Sequence, residues 1–323
     1  MANSNTIILS PNLHTFYSKV FLETTEKNLV VWQCGDARVH PQGTGKVSKY
    51  LRYGNVNPTL TPLSEGVTPA ENSLATNQYQ IEIKQYGDFI IVTDFLQMTS
   101  ISPEIKKHSE RLGYAAAKSM DSQIIAHLEA TATNSLYYTN NANTIDDDVQ
   151  ATETFSARSV LAGVGCLRGQ DAKPFADGMF KWVVHPHAAI DIMSDTAAGG
   201  FIDLNKYTSD NTSKILKGEV GKVYGARLIE SSNMTAPTAA LTDVYRSFLM
   251  AEDAFVMTKF NKDAMSLIIK PNGSAGSADP LDQRASVAYK LQFGVLYTGG
   301  DFVDANGASP DTCIQIRGAA TGC

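Results

Sequence analysis

His185 and His187 are separated by one residue and are the pair in this chain best spaced to hold a metal. Two imidazoles at i and i+2 share a ligand when both project from the same side of a strand. Pro186 stands between them and marks a strand-to-helix junction, so the rings are expected to diverge and to serve structure. A cytosolic α+β metalloenzyme using His185 and His187 remains the competing reading from a different class. Cys166 has no histidine near it in sequence and reads as a buried thiol. GVGCLRG, 163–169, approaches a dinucleotide turn, but Arg168 takes the place of the third glycine and the stretch has helical character. The sequence contains no P-loop, no GxSxG and no HExxH.

The carboxylates Glu252 and Asp253, and Asp279 with Asp282, have no acid/base partner nearby in sequence. Asp282 is expected to pair with Arg284 or Lys290. Asp146, Asp147 and Asp148 lack the alternating ligands and glycine of a calcium loop and read as a solvated turn. Lys46, Lys49 and Arg52 are too few for nucleic-acid readout. They are placed either to meet acidic groups on a neighbouring subunit or to pair with Glu82 across a ribbon. From the residues, no catalytic group, no metal and no cofactor is assigned.

The elements that carry these residues are organised around one stretch, Ser102 to about Ala130. Ser102 suits an N-cap, Pro103 the first helical position and Glu104 the positive helix end. No proline follows, and Ile105, Leu112, Ala116, Met120, Ile124 and Leu128 form one apolar side. About 28 residues at about 1.5 Å each make a rod of roughly 42 Å, long enough to span a domain. Gly113 and Ala115–Ala117 let another element lie close across its middle.

Before this rod, residues 1–43 offer a short helix with Leu13, Phe16, Val20 and Phe21 on one side, expected to lie on something else. KVSKYLRYG then alternates with period two, and QYQIEIKQY answers it. About two dozen residues rich in Pro, Thr, Asn and Ser separate the two strands, and a loop that long is functional or disordered. A two-stranded ribbon alone in water is marginal, so this one is expected to gain stability on a neighbour. GDFIIVTDFLQM, 87–98, reads as a buried strand. After the rod come a helix over 155–170, a strand Phe180–Val184, a helix from near Pro186, further strands and a closing strand Ser286–Tyr297. The last 20 residues read as an exposed tail.

The 323 residues carry a net charge of -6, which argues against a basic nucleic-acid coat. The four cysteines show no paired spacing and suit reduced cytosolic thiols. The first residues lack signal-peptide character, and no apolar run reaches the roughly 18 residues of a membrane helix.

The order of parts, together with KQYGDFIIVTD, LTPLSEGVTP, GKVYGARLIESS and ADPLDQRASVAYK, resembles the tailed-bacteriophage major capsid proteins of the Hong Kong 97-type fold, close to the N-four-like phage coat protein family. The resemblance runs from about Phe16 to Val303. It implies an α+β fold with an N-arm over 1–43 that reaches across a neighbour, and an extended β-hairpin loop over 44–86 that lies over the adjacent subunit. It implies a peripheral domain over 87–170 with a spine helix at 102–130, an axial domain over 171–265, and a return to the peripheral domain with a tail over 266–323.

The implied function is a coat that self-assembles through hexamers and pentamers into an icosahedral shell around double-stranded DNA, which it does not bind sequence-specifically. Phe16, Lys46, Lys49, Arg52, Glu65 and Glu82 are the residues expected at inter-subunit contacts. The implied partners are copies of the chain, a separate scaffolding protein, a portal and a decoration protein, with no membrane. An encapsulin-like nanocompartment shell is the alternative on the same fold.

Overall fold

The computed structural model describes residues 11–53, 62–63, 65–66, 68, 71, 74, 76–101, 104–132, 135–137, 149, 153–195, 219–234, 244–260, 265–274, 279–299 and 312–320. The acidic run 146–148 lies outside them.

Helix α3, Glu104–Thr131, is the expected rod, 28 residues long. Its buried stripe serves two cores in succession. Leu112, Ala116 and Met120 pack on Leu267, Val287, Tyr289 and Leu291 of a first sheet. Further along, Ile124, Ile125 and Leu128 pack on Val183, Ile229, Phe248 and Met250 of a second. Each fully buried Leu or Ile contributes roughly 1.5–3 kcal/mol relative to exposure, so the helix holds both sheets by one continuous face.

The first sheet is built on β12, Arg284–Tyr297. It pairs antiparallel with β4, Lys84–Thr93, with β11, Met265–Lys270, and at its C-terminal end with β10, Phe255–Phe260. Strand β1, Asp36–His40, runs parallel beside β10. The second sheet has the order β5-β13-β9-β6-β8-β7, with β5 at Ser135–Tyr137, β6 at Phe180–Val184, β7 at Glu219–Val223, β8 at Ala226–Glu230, β9 at Val244–Met250 and β13 at Cys313–Ala319. Helices α4, Ala157–Gly169, and α5, Pro186–Ser194, cover its other face through Val160, Val164, Leu167, Ala188 and Ile192. Being covered on both faces, β6 reads FKWVV, a nearly unbroken apolar run.

Helix α1, Pro11–Asn28, lies on the spine of its own chain. Phe21 is buried with Leu112 and Tyr289, and Thr25 Oγ1 donates to the carbonyls of Phe21 and Gly113. A Cβ on Gly113 would come within 2.9 Å of the Phe21 carbonyl oxygen, so glycine sets this close approach. The arm ends in a 3-10 turn, Val31–Cys34. The described part of the arm, from Pro11, rests on the spine of its own chain.

Three expectations are corrected. Residues 312–320 are not a tail: β13 is buried between β5 and β9, with Ile314 and Ile316 in the second core. Residues 87–98 are not one buried strand: β4 ends at Thr93, and a short helix α2, Asp94–Thr99, follows with no buried residue. Cys166 is exposed on α4, whereas Cys34 and Cys313 are buried. Sheet membership also crosses the expected boundaries, since α4 packs on the second sheet and β10 pairs in the first.

Candidate assembly surface

Strands β2, Val47–Tyr53, and β3, Thr76–Glu82, form a separate ribbon whose register pairs Val47 with Glu82 and Tyr53 with Thr76. Alternation gives it two faces. One row, Ser48, Tyr50 and Arg52 with Ile81, turns onto the first sheet. Tyr50 OH lies 3.0 Å from Thr258 Oγ1, and Arg52 Nη1 donates to the Thr298 carbonyl at 2.6 Å. Ser48 Oγ bonds His40 Nδ1, whose ring also meets Thr44. The Arg38 guanidinium sits 5.0 Å from the centre of the Tyr50 ring. At Gly294 of β12 a Cβ would lie 2.6 Å from the Glu82 carbonyl oxygen, so the ribbon base touches β12 backbone to backbone.

The ribbon base is therefore held by its own chain, through the row that carries Ser48, Tyr50 and Arg52. Val47, Lys49, Leu51 and Tyr53 form the other row of β2, beside Gln78, Gln80 and Glu82 of β3, and Leu51 is 58% and Tyr53 61% exposed. The chain satisfies the Tyr50 hydroxyl and the Arg52 guanidinium internally and leaves Leu51 and Tyr53 uncovered.

The six residues expected at contacts are distributed as follows. Lys46 Nζ pairs with Glu82 Oε1 at 2.6 Å across the ribbon. The bond to Glu82 raises the Lys46 ammonium, and Lys46 holds the Glu82 carboxyl below its usual range. Both are solvent-exposed, so the pair is screened and weak. Lys49 is exposed on the outer row, and Arg52 is used on Thr298. Glu65 is exposed in a turn with Gly66, next to the exposed Leu63. Phe16 falls on α1, and its side chain is outside the described residues.

A surface missed in the sequence lies on the sheet face opposite the spine. Phe89 and Ile91 of β4, Ala288 of β12 and Ile268 of β11 line an open groove of about 460 Å³, with Lys270 and Arg284 at its rim. Helix α2 adds Phe95 and Met98, 73% and 80% exposed. In β4, Ile90 packs toward the core under the spine and Val92 is buried, while Phe89 and Ile91 face outward. Apolar residues at both parities signalled a strand covered on two sides, and the second cover is absent from the described chain.

The carboxylates have structural roles. The Arg284 backbone N–H donates to Asp279 Oδ2 at 2.8 Å, and its Nε lies 3.8 Å from the same oxygen. Glu252 pairs with Lys173 at 2.6 Å. GVGCLRG is helical, within α4. His185 and His187 do not diverge: their rings lie 4.7 Å apart. His185 Nδ1 accepts from the His187 N–H and His187 Nδ1 meets Tyr245 OH at 2.9 Å, so each spends a nitrogen on structure. Among the described residues no three His, Cys, Asp or Glu side chains gather to hold a metal, and no helix is long and apolar enough to cross a membrane.

The family model described as phage capsid protein matches residues 77–296, from β3 through the spine to β12. This chain belongs to the phage capsid protein family. No curated protein matches it in sequence. The capsid of Ralstonia phage GP4 is similar in structure with a TM-score of 0.70 at 14% identity, over 91% of this chain and 92% of that one. The capsid of cyanophage Pam1 has a TM-score of 0.64 at 13% identity, over 89% and 91%. The virus-like particle from Pyrococcus furiosus has a TM-score of 0.53 at 9% identity, over 94% and 98%. The phage capsid protein thus has the α+β Hong Kong 97-type fold, and it is a viral structural protein of the capsid shell.

Proposed function

We propose that this major capsid protein assembles through hexamers and pentamers into an icosahedral shell enclosing double-stranded DNA, and that it works without a catalytic group. The observation that carries this reading is the ribbon: its inner row is held at home while Leu51 and Tyr53 stand in solvent. An apolar row that its own chain leaves bare gains its burial from another copy. In this reading residues 44–86 are the extended loop over an adjacent subunit. The spine helix with the first sheet forms the peripheral domain, and the second sheet with α4 and α5 is the axial domain at the symmetry centres.

The chain's net charge of -6 suits a container that releases its DNA and does not read its sequence. A separate scaffolding protein, a portal and a decoration protein are the further partners, and assembly takes place in the host cytoplasm. Replacing Leu51 and Tyr53 together by Asp tests the reading. Both are more than half exposed, so the subunit should keep its melting temperature within a few degrees. Shell formation, followed by sedimentation, should be lost, and wild-type yields of particles from the double variant would overturn the role given to the ribbon.

A further inference from the structure

The start of α5 is capped in an unusual way. The strand β6 ends at Val184, and His185 follows in extended conformation with φ -72° and ψ 147°. Pro186 takes the first helical position, where its missing N–H is not needed. The cap is the His185 imidazole itself, whose Nδ1 accepts the His187 backbone N–H at 3.2 Å. An acceptor at Nδ1 requires the neutral ring with its proton on Nε2. Asn, Asp, Ser or Thr would provide the same bond without titrating near neutrality.

His187 and the helix end disfavour a second proton on this ring. His187 stands edge-on at 4.7 Å, and a positive helix end lies directly beneath. Tyr245 of β9 lies 4.8 Å away and spends its hydroxyl on His187 Nδ1. Arg246, next along β9, pairs with Glu129 of the spine, and Arg317 of β13 pairs with Gln315. Glu230 ends β8 beside Val184, but burial pushes its carboxyl up, so it carries least charge in the acid range. Asp191 lies one turn further along α5 and is buried there.

We propose that α5 is held by an acid-labile cap: a solvent proton taken up at His185 Nδ1 removes the acceptor that starts the helix, and the first turn of α5 opens. Burial first, and His187 second, hold the His185 imidazole below its ordinary value. The unfolded or opened turn therefore binds the proton more readily than the closed one. The cap is at full strength above about pH 6.5 and is lost as the pH falls from there through the lowered value. This device goes beyond the shell reading and is measurable on unassembled subunits. Where that reading holds, every axial domain of a particle would loosen over the same pH range.

The test is backbone amide exchange of the full-length, unassembled chain, read by mass spectrometry on the peptide covering 185–194. Protection is compared at about pH 7.5 and about pH 5.5, corrected for intrinsic exchange, in wild type and in His185→Asn. Wild type should lose about fivefold in protection at the lower pH, the size of one lost N-cap, and His185→Asn should lose none. Equal losses in both proteins, or no loss in wild type, would overturn the proposal. His185→Ser gives the same comparison if the Asn variant does not fold.

Discussion

Asp121 shows how one residue can fix the position of an arm. Its carboxylate is wholly buried in the spine, and it accepts the backbone N–H groups of Val30, Val31 and Trp32 at 2.9, 3.3 and 3.2 Å. Burial raises its pKa, and the three donors pull it part of the way back. With a folded value above the ordinary 3.8, the contribution of Asp121 to stability declines as the pH rises from there through the raised value. Asp121→Ala leaves three donors without their acceptor and should destabilise the subunit by about 2–4 kcal/mol in urea denaturation, with Asp121→Asn losing less. The sequence hides this role, because a lone Asp inside a helix has no local signature and its partners lie some 90 positions earlier. His185 was readable as a junction because Pro186 announces the helix start. That the two rings meet, and that Cys166 faces solvent, depended on packing by β9 and α4, which no local pattern carries.

At the scale of elements, the spine helix was the most legible part. Its caps, its lack of proline and its apolar stripe all have local causes, and α3 covers nearly the range they predict. The ribbon strands were legible for the same reason, through alternation. The direction of the ribbon's faces was not, since Leu51 and Tyr53 turn outward while Tyr50 and Arg52 are satisfied by Thr258 and Thr298 far along the chain. Strand β13 was obscured because its short run, CIQIRGA, sits among small and polar residues, and pairing with β9 supplies what propensity does not. The packing of the spine yields a direct prediction. Ala116 is fully buried against the first sheet, so Ala116→Trp should overfill that layer. A loss of about 2 kcal/mol or more is expected, seen as a lower thermal midpoint. An unchanged midpoint would mean that this face of α3 is open.

For the whole molecule, two sheets share one rod, an arm is pinned along that rod by Gly113 and Asp121, and two groups of exposed apolar residues stand out among the described ones. One is the outer row of the ribbon. The other is the face carrying Phe89, Ile91 and Ile268, continued by Phe95 and Met98. A chain that folds its cores and still presents such surfaces is built to meet further copies of itself. Family membership was legible in the order of the parts, whereas which surfaces stay bare depended on long-range pairing. The central claim is that these surfaces close into a shell. Negative-stain electron microscopy of the purified, expressed protein tests it most directly. Closed icosahedral particles of uniform size, tiled by hexamers and pentamers, are predicted. A preparation holding only monomers, small rings or open tubes under assembly conditions would contradict the account.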